Sequence, residues 1–314
     1  MSIIGHQRII QFFDNAILNG QLAQAYCFVG PEQVGKRTLA RYLAIQLLNI
    51  NEKQLGTHPD FYYLTREENE KTGKLRKDIS ISQARLLKER VSSKSWLGGY
   101  RVIIIDEAEL LNKESANALL KVLEDRKEKI VFFLLTTDEL ALLPTIRSRC
   151  QTFYLSLLAE QEMTIGLIEA GFDSKVVAEV IPLAWGRVGR AISLLSDEEN
   201  RQKYLQERKW WEEIVKLPFY QRLKKADYLL KDKEDGAEKE KFARIIPVWQ
   251  MLWRDVLLAK TKKENIAHSI LAEKSNFTVS ETLRFIDLLT NTQIMLRQNV
   301  NPKLLVEEAM LNAR

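Results

Sequence analysis

The sequence predicts an α/β fold in its first half, a parallel sheet flanked by helices, followed by an entirely helical second half. Three observations carry that expectation. Short apolar runs, Ala25–Val29, Phe61–Leu64, Arg101–Ile105 and Ile130–Leu135, alternate with amphipathic stretches, and strands separated by helices assemble as a parallel sheet. A glycine-bearing segment, Gly30-Pro-Glu-Gln-Val-Gly-Lys36, stands between the first run and a helical stretch. From about residue 157 the strand signals stop and eight helical segments follow.

In chain order, Ala25-Tyr-Cys-Phe-Val29 is apolar throughout, as a buried strand requires, and Thr38–Leu48 carries Leu39, Tyr42, Leu43, Ile45 and Leu47 without Pro or Gly, which suits a helix. Arg101-Val-Ile-Ile-Ile105 is so uniformly β-branched that both its faces should be covered. Glu114–Glu124 reads as a helix and Ile130–Leu135 as another buried strand. The helical segments are Ala159–Glu169, Lys175–Ala184, Val188–Leu195, Glu199–Val215, Tyr220–Lys231, Ala237–Lys260, Val279–Gln298 and Pro302–Asn312. The expected domains are a sheet domain over 1–156, a small helical domain over 157–198 and a larger helical one over 205–314. Lys231–Lys241 mixes both charge signs around Gly236 and reads as a solvated helix–helix connection.

Composition narrows the class. The 314 residues are 46% hydrophobic and 28% charged, ordinary values for a globular chain with room for two or three domains. Lys and Arg number 47 against 42 Asp and Glu, a surplus of +5 that is mild for a nucleic-acid binder. Cys27 and Cys150 are the only cysteines, so neither a disulfide framework nor a multi-cysteine zinc module is expected, and a reducing cytoplasm is the simplest home. The start lacks the apolar core of a signal peptide, and the longest apolar stretch, Ile130–Leu135, is far short of the roughly 20 residues that span a bilayer. No membrane role is expected.

Gly30–Lys36 follows a strand and opens a helix, the context a phosphate loop needs. Glycines let consecutive N–H groups face an anion, the helix N-terminus adds partial positive charge, and Lys36 can reach the β- and γ-phosphates. ATP or ADP with Mg²⁺ is therefore the candidate ligand, and Gly30, Gly35 and Lys36 its candidate contacts. Position 37 breaks the pattern. A hydroxyl belongs there to ligate Mg²⁺, and the chain has Arg37, with Thr38 rotated by about 100° around the helix. A guanidinium offers no lone pair to a metal. Two readings stay open: a site that has lost hydrolysis, or one whose metal is held by water and Asp106.

Ile103-Ile-Ile-Asp106-Glu107 places two carboxylates at the C-terminal end of a buried strand, where open α/β sheets bind ligands. In an intact ATPase the first holds the Mg²⁺ shell and the second polarises the attacking water. Acidic residues also cap helices, so the pair alone is weak. Thr137, just past the next strand, is either a group that senses the γ-phosphate or an ordinary strand exit.

Together with the phosphate loop, Asp106-Glu-Ala-Glu109, Ala116-Asn-Ala-Leu-Leu-Lys-Val-Leu-Glu124 and Leu143-Pro-Thr-Ile-Arg-Ser-Arg-Cys150 resemble the AAA+ subunits of bacterial DNA polymerase III clamp loaders. The resemblance runs from Ile4-Gly-His-Gln7, similar to the family's adenine-side box, through Gly56-Thr-His-Pro-Asp60 to Gly186-Arg-Val-Gly-Arg-Ala191 and Asn301–Ala309. It implies an AAA+ P-loop sheet, a helical lid over 157–198 that brings Arg190 to the nucleotide, and an all-α collar over 205–314 that builds a hetero-pentameric ring. It implies as partners the gamma/tau and delta subunits, a sliding clamp and primer–template DNA. The run around Arg149 and the altered loop look more like the family's non-motor subunit than its gamma/tau motor. On that likeness Arg149 is an arginine finger serving the site of an adjoining subunit; by itself the triplet Ser148-Arg149-Cys150 favours a surface arginine that merely pairs with an acid. The alternative within the family is a motor that hydrolyses ATP at Lys36, Asp106 and Glu107.

The family usually carries four zinc-binding cysteines before the Gly56–Asp60 segment, and 49–55 contain none, so no zinc is expected. The family commonly has His where Gln24 stands, which leaves that position without an assigned role. His58 has no second ligand nearby and reads as structural.

Between Lys71 and Arg101 stand nine basic residues and two acidic ones. Ser82–Val91 is a plausible helix on which Arg85 and Lys88 share a face. This stripe is either a solvated face or a sequence-neutral phosphate contact, and the resemblance places DNA there. Trp210, Trp211, Trp249 and Trp253 read as core packing, with subunit contact as the second possibility.

Overall fold

All five residues of Ala25–Val29 (β1) are buried, and the reason is its place in the sheet. The computed structural model describes residues 3–68, 73, 75–92, 96–124, 129–214, 216–230, 237–261, 277–298 and 300–312. Within them β1 pairs in parallel with Ile130–Thr136 (β4) on one side and Gln151–Tyr154 (β5) on the other. Arg101–Ile105 (β3) joins β4, and Phe61–Leu64 (β2) closes the far edge, giving the order β2-β3-β4-β1-β5 with every pairing parallel. Parallel strands need crossover helices, and these cover both faces.

Alternation along each strand divides the core in two. Cys27, Ile103, Ile105, Phe132 and Leu134 face one layer, packed by helices Ile81–Ser92 (α3) and Lys113–Glu124 (α4). Tyr26, Phe28, Val102, Ile104 and Phe133 face the other, packed by Gln7–Leu18 (α1) and Lys36–Leu48 (α2). Phe13 of α1 is fully buried, its ring 4.6 Å from Tyr26 and 5.8 Å from both Phe28 and Phe133. After the one-turn helix Pro144–Arg147 (α5) and β5 come three helices, Glu160–Glu169 (α6), Ser174–Ala184 (α7) and Val188–Ser196 (α8).

The chain divides into two units, Met1–Ser196 and Asp197–Arg314. The second is made of Glu198–Ile214 (α9), Phe219–Leu230 (α10), Ala237–Lys260 (α11), Val279–Arg297 (α12) and Pro302–Asn312 (α13). Its core is aromatic: Trp211 stacks on Trp249 at 3.6 Å, and Trp253 meets Phe277 and Phe285. Trp211, Trp249 and Trp253 are fully buried, as the core reading expected, while Trp210 is half-buried. The P-loop parallel sheet followed by helices is thus the observed architecture.

Three of these elements escaped the sequence reading, among them the one-turn α5. Gln151–Tyr154 forms β5 although its pattern runs from exposed to half-buried and back, because it pairs only along β1 at the sheet's edge. α1 likewise was not anticipated. The basic stripe needs a correction. Lys71, Lys74 and Lys94 lie outside the described residues, as do 231–236 of the mixed-charge block. Arg101 is not available to a phosphate: it is buried, and its guanidinium donates to the carbonyls of Val91 at 2.6 Å and Arg90 at 3.4 Å, closing the C-terminus of α3. Arg85 is exposed and Lys88 half-buried on α3.

Candidate phosphate site

The site gathers at the C-terminal ends of β1, β3 and β4. Gly30 leaves β1, its N–H donating to the Thr136 carbonyl at 3.2 Å, and a Cβ there would collide with the backbone oxygen of Leu155. Gly35 caps α2 at a φ of 111°, a left-handed backbone that favours glycine. Lys36 is the first residue of α2, and its Nζ donates to the carbonyls of Gly30 at 2.5 Å and Pro31 at 2.9 Å. Burial lowers the pKa of this ammonium, against the pull of Glu109 and Asp106. His6, in the N-terminal box, lies 3.0 Å from the Val34 carbonyl through Nε2. From the helical segment, the Gly189 N–H donates to the Gln33 carbonyl at 2.8 Å, seating the start of α8 on the loop.

The acidic pair is occupied by arginines. Arg37 reaches Asp106 Oδ2 with Nε at 2.7 Å and Nη2 at 2.5 Å, and the Tyr63 hydroxyl donates to the same oxygen at 2.5 Å. Burial opposes the charge of Arg37, and the Asp106 carboxylate outweighs it, holding the guanidinium above its ordinary pKa. Burial first, then the bond to Asp106, pushes the Tyr63 phenol up as well. Beside it, Arg66 donates through Nε and Nη2 to the two carboxylate oxygens of Glu107, and that hydrogen bonding raises the arginine's pKa. Glu109 takes the hydroxyl of Thr137 at 2.8 Å and its N–H at 3.2 Å.

A cavity of about 440 Å³ joins these groups, with Gly35, Lys36, Arg37, Thr38, Asp106, Glu107 and Thr137 all on its wall. The structure therefore brings together most of the residues singled out from the sequence. Gly30 lies behind the wall and is felt through Lys36. Arg190 is not on the wall; it lies 4.9 Å over the ring of Trp185. Arg149 is remote. It follows α5 and precedes β5, whose Gln151 pairs with Tyr26 near the start of β1, whereas Gly30 lies past its end. A five-residue strand spans roughly 16 Å, more than a side chain bridges. Arg149 is exposed, donating to the Thr145 carbonyl at 2.8 Å and the Ser148 hydroxyl at 3.3 Å.

The sequence reading missed Tyr63 and Arg66. Both lie at or just beyond the end of β2, which pairs with β3 through Tyr63↔Ile104 and Leu64↔Ile105, so parallel register alone would have carried them to Asp106 and Glu107. His58 is structural as expected, accepting the Asp60 N–H at 3.1 Å. Gln24 donates to the Val122 carbonyl at 2.9 Å.

The phosphate half of the site fits a polyphosphate: a glycine loop, a helix N-terminus and a lysine. The metal half does not fit Mg²⁺. Position 37 lacks an oxygen, and Asp106 Oδ2 already accepts three donors. Among the described residues no group of three His, Cys, Asp or Glu could hold a metal.

Residues 5–159 match the family described as DNA polymerase III, delta subunit. DNA polymerase III subunit delta' of Pseudomonas aeruginosa is 40% identical over 144 residues, 41% of this chain and 42% of that protein. Subunit delta' of Escherichia coli K12 is 34% identical over 146 residues, 46% of this chain and 42% of that protein. Subunit tau/gamma of Haemophilus influenzae is 28% identical over 212 residues, 61% of this chain and 30% of that protein. The matches thus span about two fifths of the length of these delta' relatives. No helix among the described residues is long and apolar enough to cross a membrane.

Proposed function

We propose that this chain is a delta-prime-like, non-motor subunit of a bacterial DNA polymerase III clamp loader. In this reading it joins gamma/tau and delta subunits in a five-membered ring, helps place a sliding clamp on primed DNA, and presents Arg149 to a neighbour's ATP. The second unit, Asp197–Arg314, serves as the collar, and Arg85 and Lys88 of α3 meet the duplex backbone without reading sequence. Asp106 and Glu107 are vestigial.

The observation that carries the reading is the pairing of both acidic residues with arginines, Asp106 with Arg37 and Glu107 with Arg66. A motor needs the first carboxylate for its metal and the second for its water. Here each faces a guanidinium instead. The rival reading, a gamma/tau-like ATPase, draws on the likeness to tau/gamma chains. Incubating the purified chain with Mg-ATP separates the two. Absence of steady turnover alone, together with restored turnover when gamma/tau and delta are added, is expected; appreciable turnover by the chain alone would sink the non-motor reading.

A further inference from the structure

A phosphate-loop site ordinarily holds Mg²⁺ between a hydroxyl after the lysine and an acidic strand end. Here both supports fail at one residue. Arg37 removes the hydroxyl and spends two of its N–H groups on Asp106 Oδ2, while Asp106 Oδ1 accepts the Glu107 N–H at 3.1 Å. An octahedral ion that demands close oxygen ligands would have to expel these donors. The charge itself has not been lost, however. The Arg37 side chain remains 62% exposed on the cavity wall beside Lys36, and a guanidinium has five N–H donors in a planar fork suited to phosphate oxygens.

We propose that this cavity is a metal-independent polyphosphate site, in which Arg37 is a built-in counter-ion standing where Mg²⁺ would stand. The ligand class is a linear di- or triphosphate, free or as the tail of a nucleotide. The proposal rests on the non-hydrolytic reading above and extends it. Asp106 holds the guanidinium in place, the loop N–H groups and Lys36 take one end of the anion, and Arg37 takes the other. Mg²⁺ complexed to the phosphates competes with Arg37 for the same oxygens and repels it, so the metal opposes binding here.

Calorimetric titration of the full chain tests this with two probes, inorganic tripolyphosphate and ATP, each in EDTA and in excess Mg²⁺. Binding in EDTA is expected, weakened about fivefold or more by Mg²⁺, a difference of about 1 kcal/mol. Comparable affinity for both probes assigns the site to the phosphate chain alone; tighter ATP shows that the nucleoside contributes. Arg37→Ala should weaken binding in EDTA about tenfold, and Arg37→Thr, which restores an oxygen, should make Mg²⁺ favour ATP binding. Circular dichroism checks that both variants fold. No binding of either probe in EDTA, an absolute need for Mg²⁺, or an Arg37→Ala variant that binds like the parent would overturn the proposal. Each of those outcomes leaves the non-motor reading standing, because that reading is tested by turnover, by phosphate release from the isolated chain above all, and not by phosphate binding.

Discussion

Arg66 sits fork-to-fork on Glu107, with Nε 2.7 Å from Oε2 and Nη2 2.6 Å from Oε1, one residue away from the carboxylate that Arg37 covers. A carboxylate gripped in this way cannot polarise a water. Glu107→Gln should therefore leave the ATP turnover of the reconstituted loader within about twofold, where the same change in a working ATPase removes a term of about 10²-fold or more. Because Arg66 and Glu107 are 24% and 36% exposed, the pair is screened, and Arg66→Ala should cost about 1 kcal/mol or less in urea unfolding. A large loss of turnover with Glu107→Gln would return the motor reading to first place.

Arg149 stands on an exposed turn, donating to the Thr145 carbonyl and the Ser148 hydroxyl. Arg149→Ala should accordingly keep the melting temperature of the chain, with a stability change of about 0.5 kcal/mol or less. It should cut turnover of the reconstituted loader by about 10³-fold or more. Arg149→Lys should rescue little, since a point charge does not reproduce a planar fork. Turnover that survives both substitutions would reduce Arg149 to surface decoration.

Asp60 is fully buried and accepts the N–H groups of Trp96 at 3.1 Å and Leu97 at 3.2 Å. Asp60→Ala removes two hydrogen bonds to a buried carboxylate, each worth about 1–2 kcal/mol because the donors belong to exposed residues. The expected loss is roughly 2–4 kcal/mol in chemical denaturation. Asp60→Asn keeps one acceptor oxygen and should lose about half as much. A variant as stable as the parent would show that these contacts contribute nothing net.

Burial pushes the Cys27 and Cys150 thiols from 9.0 up to about 12. The folded chain holds these protons where the unfolded chain releases them, so the associated stability is complete below about pH 9 and falls as the pH climbs toward 12. Melting temperature should decline between pH 9 and pH 11, and a thiol reagent at pH 8 should label the native protein far more slowly than the denatured one. Rapid labelling of Cys27 without denaturant would contradict its burial.

How much of this was legible beforehand depends on what each residue's neighbours contribute. Ile103, Ile104 and Ile105 announce a doubly covered strand by themselves, and Gly30, Gly35 and Lys36 announce a phosphate loop, because the physics involved is local. Arg37 was visible as a defect, yet its partner was not: the pairing with Asp106 joins residues 69 positions apart. Tyr63 and Arg66 carried no signal of their own, since a tyrosine and an arginine past a short strand are commonplace until that strand is set beside β3. Arg101 misled for the opposite reason. Counted along the chain it belongs to a basic stripe; in three dimensions it turns inward and closes α3. Gln151–Tyr154 lacked the apolar run of an interior strand because an edge position does not require one.

The placement of β1 between β4 and β5 has a mechanical consequence. Its two hydrogen-bonded neighbours are the strand that ends at Thr136 and the strand that starts just after Cys150. The glycine turn at one rim and the arginine tip at the opposite rim are thus welded into a single slab, without a hinge along its backbone ladders. Load applied at the tip would be carried by sheet stiffness rather than by loop bending.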